Sequence, residues 1–557
     1  MLGLPARRTV REPLPLMRRF AIFLVLAAAA AAFWFATHAT LDGSPSASAP
    51  EAVTLNRGNG HEPESLDPQR GRTDSEHIIL RDLFEGLTSL DQEARPVPAA
   101  ASAWTVSDDG LTYQFTLRSG LRWSNGDPLN AEDFAFGLRR LVDPATASPY
   151  AQIVDMIEGA SDITAGKRQA ETLGIAVPNP STLVVRLRAP TPYLPGVFAH
   201  PSTFPVHRGN VEHDAREFTR PGKLVSNGAF VLNDWSVGSQ VVVRRNPYYW
   251  NDANNRIDVV RFHHVSDQSA ELRRYRAGEL DITYVVPPAQ FQWVRENLPR
   301  ELHVAPQLTT YYYGFNLSRP PFKDNAALRR ALSMVIDRDR LTQSVTGRGE
   351  LPAYSWVPVG IDQYAPQEPE WARVPFAERV AEAQRLYAQA GYSAARPLET
   401  EIRYNADESH ARIALAIAAM WKEHLGVQAS LVGEEFKVLL QNITQAQVTQ
   451  VFRSSWIGDY NDAYTFAQYL KSDFGINLPQ YRNKQYDELV SKAAAEPDRA
   501  RRRALLEEAE RVMLVDQPLI PLYFYVSKHL VKPWVQGWRN NVMNVQYSKD
   551  MTIAGRT

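Results

Sequence analysis

The chain has 557 residues and a formal net charge of -1, from 61 Lys and Arg against 62 Asp and Glu. At ~150 residues per domain it holds three or four domains, and 44% hydrophobic with 22% charged residues excludes a disordered, collagen-like or multi-pass membrane protein. The balanced charge argues against a nucleic-acid binder, and the absence of cysteine excludes disulfides, thiolate-held metals and thiol nucleophiles.

Arg7, Arg8, Arg11, Arg18 and Arg19 precede an apolar run from Phe20 to Phe35. A basic start before a short apolar stretch reads as a secretory signal, and the run is shorter than the ~20 residues of a spanning helix. Thr37-His38-Ala39 offers a cleavage point after Ala39, while bulky Trp34 and Phe35 keep an uncleaved N-terminal anchor as the alternative. With no cysteine after the run, a lipid-anchored form is excluded. Residues 44–50, rich in Ser, Ala and Pro, read as a linker.

Further along, residues 112–117 alternate polar and apolar as a half-buried strand does. Residues 131–141 read as a helix with Phe134, Leu138 and Leu141 on one face, stopped by Asp143-Pro144. Strands are expected at 182–187 and 240–244, and helices at 325–336, 376–390 and 411–425, the last two ended by Gly391 and Gly426. A strand over 427–432 and a charged helix over 499–515 follow. Such mixing of strands and helices indicates α/β or α+β domains.

No phosphate-binding loop, H-E-x-x-H or G-x-S-x-G motif occurs. His263-His264 with Asp267 is a poor metal set, because neighbours on a strand point to opposite faces. Asp337-Arg338-Asp339-Arg340 reads as a solvated helix end.

Several segments in order resemble one family, the periplasmic solute-binding proteins of peptide ABC importers, which includes the oligopeptide-binding proteins. They are Glu64-Ser65-Leu66-Asp67-Pro68, Arg81-Asp82-Leu83-Phe84-Glu85-Gly86-Leu87, Trp123-Ser124-Asn125-Gly126-Asp127 and the run from Asp143 to Tyr150. Asn227-Gly228-Ala229-Phe230, a departure from the family's Gly-Thr-Gly-Pro-Phe, is followed by Asn246-Pro247-Tyr248-Tyr249-Trp250 and Tyr311-Tyr312-Tyr313-Gly314-Phe315-Asn316. The clearest segment is Trp456-Ile457-Gly458-Asp459-Tyr460-Asn461-Asp462, and Leu530-Val531-Lys532-Pro533-Trp534-Val535 closes the series.

The resemblance implies an α/β, two-lobed periplasmic binding protein fold with an extra domain. Its three domains would be a discontinuous first one (51–84, 209–310 and 526–557), the extra domain (85–208) and a third (311–525), after a signal or anchor with linker (1–50). Asp459 would meet the α-ammonium of a peptide; the bland alternative is that it caps a turn or pairs with an Arg. Ser455 and Ile457 would lend backbone groups. Arg453 and His410 would serve the ligand's carboxylate, His410 having helix capping as its alternative. Tyr150 would line the site from the extra domain, and Arg72, Thr73 and Asp74 would fall where the first lobe contributes a strand. Arg72 stands where the family has an acidic group, and Phe436 replaces a tryptophan, so one side-chain pocket changes shape.

The function implied is capture of di- to oligopeptides and their delivery to a permease with its ATPases, by a periplasmic monomer without cofactor, metal or nucleic acid. The alternatives are another solute (murein peptide, haem, metal complex or sugar), an anchored periplasmic hydrolase, and a chaperone-like or signalling protein that has lost transport.

Overall fold

The computed structural model describes residues 52–361, 364–446 and 450–556. The expected signal or anchor and its linker lie outside them. Among the described residues, no helix is long and apolar enough to cross a membrane.

Strand β1 (Thr54–Gly58) is followed by helix α1 (Asp74–Leu83). A four-stranded antiparallel sheet comes next, built from β2 (Ala101–Val106), β3 (Thr112–Leu117), β4 (Ile175–Asn179) and β5 (Thr182–Arg186) in the order β2-β3-β5-β4. The alternation expected over 112–117 is realised: Tyr113, Phe115 and Leu117 are buried and the residues between them are not. Between β3 and β4 lies α2 (Ala131–Val142), capped by Asn130 and burying Phe134, Leu138 and Leu141. Strands β6 (Phe230–Ser236), β7 (Gln240–Arg245) and β8 (Val259–His263) return to β1 in the order β1-β8-β7-β6. One core joins both four-stranded sheets.

The remaining sheet has six strands. They are β9 (Leu302–Phe315), β10 (Leu351–Pro352), β11 (Glu399–Asn405), β12 (Gln428–Glu434), β13 (Val451–Ile457) and β14 (Leu519–Leu530), in the order β10-β14-β9-β13-β11-β12. Helices α3 (Ala326–Met334), α4 (Phe376–Gln389), α5 (Glu408–Leu425), α6 (Phe436–Gln445) and α7 (Arg499–Asp516) accompany them. Side chains alternate across a strand, so Tyr311, Tyr313 and Phe315 enter one core and Tyr312 the other. The long pair β9–β14 extends beyond the sheet to residues 282–283: the Leu530 N–H donates to Thr283 Oγ1, and Ile282 bridges Arg57 of β1.

Two readings change. Asp337 does cap a helical turn, but Arg338 is buried, not solvated. Its guanidinium donates to the carbonyls of Ala353 (2.8 Å), Pro521 (2.9 Å) and Ser333 (3.0 Å). Five donors in a fixed fork suit several converging carbonyls better than one counter-ion. The second concerns residues 72–74, where no strand forms. Thr73 is the N-cap of α1 in a capping box with Glu76.

Candidate functional site

Strand β13 organises the site. The Gly458 N–H donates to Leu308 O at 2.8 Å and the Asn316 N–H to Gln450 O at 2.9 Å. The antiparallel register between β9 and β13 pairs Trp456 with Thr310 and Ser454 with Tyr312. Bonding alternates along such a ladder, so the even-numbered residues of β13 face β9. Arg453, Ser455 and Ile457 therefore turn their N–H and C=O to the other edge. On that edge β11 pairs only as far as Arg403 with Phe452. Ser455 and Ile457 are left with an open edge, and Ile457 lines a cleft of about 290 Å³.

Asp74, His77, Arg81, Tyr150 and His200 line the same cleft, opposite Ile457, Gly458 and Asp459. Asp459 follows the end of β13, with its N–H donating to Thr465 Oγ1 at 3.4 Å. The side chain faces the open cleft, yet protein crowds it enough that desolvation pushes its carboxyl up to about 6. No Arg pairs with it and it caps no turn, so neither bland alternative is realised among the described residues.

At the start of β13, Arg453 donates to Asn405 Oδ1 (3.0 Å) and to the Tyr525 hydroxyl (3.1 Å). Its guanidinium lies 4.7 Å from the centroid of the Tyr311 ring, and its Nε is buried without a partner. Burial opposes the charge, but the Tyr311 and Tyr525 phenols outweigh it and raise the pKa. His410 lies in the first turn of α5. Asp407, not His410, is the N-cap, accepting from the Ser409 and His410 N–H groups. The His410 Nδ1 and Tyr311 hydroxyl are hydrogen-bonded at 3.2 Å. Burial, then the Arg453 charge, brings His410 down to about 4, so at neutral pH it offers a hydrogen bond and not a cation.

The remaining expected residues divide. Tyr150 sits edge-on to His77 (5.5 Å between ring centroids) and tilted over His200 (4.9 Å). Asp74 lines the cleft, whereas exposed Arg72 is outside its wall and donates its N–H to Glu76 Oε2 at 2.7 Å. Thr73 is spent on capping. Phe436 begins α6 at 57% exposure, also outside that wall. The structure adds His77, Arg81 and His200 to the cleft wall and sets Asn405, Tyr311 and Tyr525 around Arg453 and His410; Arg81 and Tyr311 fall in segments quoted from the sequence, and the other four carry no local motif. Burial, then the Arg81 charge, lowers His77 to about 4, so it stays neutral beside the ligand space.

Asp459 and Ile457 stand in the cleft wall, whereas Ser455, Arg453 and His410 lie outside it; along β13 an unpaired anion and an unpaired cation flank the open strand edge. At ~3.3 Å per residue the two charges are separated by roughly 20 Å of strand, the scale of a short extended peptide. Among the described residues, no group of three side chains is arranged to hold a metal ion.

A family model, the middle region of the bacterial extracellular solute-binding proteins of family 5, matches residues 95–477. The periplasmic oligopeptide-binding protein OppA of Escherichia coli is 37% identical over 507 residues, covering 90% of this chain and 93% of that protein. Among solved structures, the unliganded open form of the murein tripeptide-binding protein MppA superposes with a TM-score of 0.83 at 36% identity, covering 90% of this chain and 98% of that one. Haemophilus influenzae OppA in complex with RPPGFSPFR gives 0.73 at 35% identity, covering 90% and 99%. At nearly equal identity and coverage, the better match is to the open form, in keeping with the solvent-facing Asp459. The two-lobed α/β fold expected from the sequence is the fold of these relatives, and the chain belongs to the bacterial extracellular solute-binding proteins, family 5.

Proposed function

We propose that the protein is the substrate-binding component of an ABC importer, capturing di- to oligopeptides between two lobes and delivering them to a membrane permease with its ATPases. The observation that carries this reading is the pairing of unpaired Asp459 and Arg453 around the open edge of β13. A peptide supplies the missing groups: an ammonium for Asp459, a carboxylate for Arg453, and backbone donors and acceptors for Ser455 and Ile457. Strand addition of this kind is indifferent to side chains, and hydrated pockets let one site accept many sequences. His410 would offer a second hydrogen bond to the carboxylate side.

The lobes of this reading are 51–84, 209–310 and 526–557 with the extra domain 85–208, against 311–525. Strands β9 and β14 would carry the hinge, and ligand would shift the population towards the closed state. The protein would act as a periplasmic monomer that binds without turnover, exported by its N-terminal signal or held by it uncleaved.

The test is incubation of the purified protein with a mixed peptide library, followed by mass spectrometry of retained and free fractions. Intact retained peptides, with thermal stabilisation of about 2.7 kcal/mol at a hundredfold excess over Kd, are expected. Cleaved peptides would favour the hydrolase, and no retention would reject peptide capture.

A further inference from the structure

The Asp459 carboxylate makes no hydrogen bond of its own among the described residues, so its place in the cleft is set by its neighbours in the chain. On one side, Gly458 is wedged: a Cβ there would stand 3.2 Å from Phe466 and Thr465. On the other, the Tyr460 ring lies parallel to that of Tyr193, with centroids 4.4 Å apart and planes 5° from parallel. Tyr193 also stacks on Tyr464 at 5.3 Å. Next in the chain, Asn461 Nδ2 donates to Ala94 O at 3.1 Å. Arg502 closes the group, with its guanidinium 5.8 Å from the Tyr193 and Tyr464 centroids and two bonds to the Asp462 carboxylate of 2.7 and 2.9 Å.

These contacts join distant parts of the chain. Ala94 and Tyr193 belong to the segment that also supplies Tyr150 and His200 to the cleft, whereas Asp459, Tyr460 and Asn461 follow β13. Among the described residues the cation end has no such bridge: Asn405, Tyr311 and Tyr525, which hold Arg453 and His410, all lie on the six-stranded sheet.

We propose that Tyr193 is a positioning residue for the ligand's ammonium: its stack on Tyr460 holds the Asp459 turn against the segment carrying Tyr150, so the ammonium end of the cleft is assembled before closure. A peptide then docks amino end first, and closing brings the rest of the site onto it. This rests on the peptide reading above and adds an order of events and a residue that never touches ligand.

The experiment is calorimetric titration of tetra-alanine and N-acetyl-tetra-alanine into the wild-type protein, Tyr193→Phe, Tyr193→Ala and Tyr193→Leu. Tyr193→Leu retains bulk without the stack and serves where the alanine variant fails to fold. Tyr193→Phe keeps the stack and should bind within about twofold of wild type, whereas the Ala and Leu variants should lose about fivefold for the free amine, the middle of the range for a lost aromatic stack. Their binding of the acetylated peptide, which has no ammonium to place, should be unchanged. Equal losses for both peptides would mean a general structural role, and no loss would mean no role; either overturns the assignment. If the wild-type protein itself ignores acetylation, the Asp459 reading fails, and this inference with it.

Discussion

Arg453, within β13, and Asp459, just past its C-terminal end, carry opposite charges, and neither meets a counter-ion among the described residues. An unpaired charge in a crowded site is costly, and two of opposite sign at the ends of one open strand edge are what the proposed extended zwitterion would pair.

The first consequence is a pH dependence of binding. Desolvation raises Asp459 from the ordinary 3.8 to about 6, and an ammonium needs the ionised form. Affinity for peptides with free N-termini should be full above about pH 7 and fall as pH drops through about 6, approaching tenfold per unit. His410, at about 4, stays neutral over most of that range. Titrations at several pH values on wild type and Asp459→Asn check this; a slope that survives in the variant contradicts it.

The same shift has a stability sign. A carboxyl whose folded pKa lies above its unfolded value stabilises the fold at low pH, and that contribution disappears as pH rises through about 6. Without ligand at pH 7.5, Asp459→Asn should therefore melt no lower than wild type. A lower Tm would mean that the ionised carboxylate has a stabilising partner.

Arg453→Met should weaken peptides with free C-termini by about 2–5 kcal/mol, the usual cost of removing one member of an enclosed charge pair. C-amidated peptides should be nearly indifferent. Equal losses for acid and amide would dissociate Arg453 from the ligand carboxylate.

The open edge predicts an asymmetry between neighbours. Ser455→Pro removes an N–H that faces no strand and should lower affinity while the protein remains folded, because proline is tolerated at strand edges. Trp456→Pro removes an N–H on the β9 side and should unfold or strongly destabilise the sheet. Circular dichroism melts with peptide titration separate the two; wild-type affinity in Ser455→Pro would remove the strand-addition claim.

Arg338 tests the fold rather than the site. Arg338→Met removes the guanidinium donor from the carbonyls of Ala353 and Pro521, and should cost about 2 kcal/mol in urea unfolding, since each orphaned buried acceptor costs ~1–3 kcal/mol. A change within error would mean that water replaces the guanidinium.

How much was legible depended on whether the signal was local. The alternation over 112–117 and the apolar face of Phe134, Leu138 and Leu141 are local and reappear as β3 and α2. The Thr73-x-x-Glu76 spacing of a capping box was equally readable, and expecting a strand there placed Arg72 and Thr73 wrongly. Arg338 misled because charge usually means solvent, and only the tertiary structure brings the carbonyls it donates to together. Asp459 was singled out through family resemblance alone, as a carboxylate after a glycine in a turn has no spacing that announces a ligand. His77 and His200 had no signal, because they meet the cleft only once separate segments have packed, and Tyr525 had none because it reaches Arg453 from another strand.

The most direct measurement of the central claim is calorimetric titration of one peptide, free and N-acetylated, against wild type and Asp459→Ala. Asp459→Ala should weaken the free peptide by about 2–5 kcal/mol, roughly thirtyfold to several thousandfold. Acetylation should weaken wild-type binding by a similar factor, and the two changes together should cost little more than either alone. Strictly additive losses would show that Asp459 and the ligand amine do not meet, and would contradict the account.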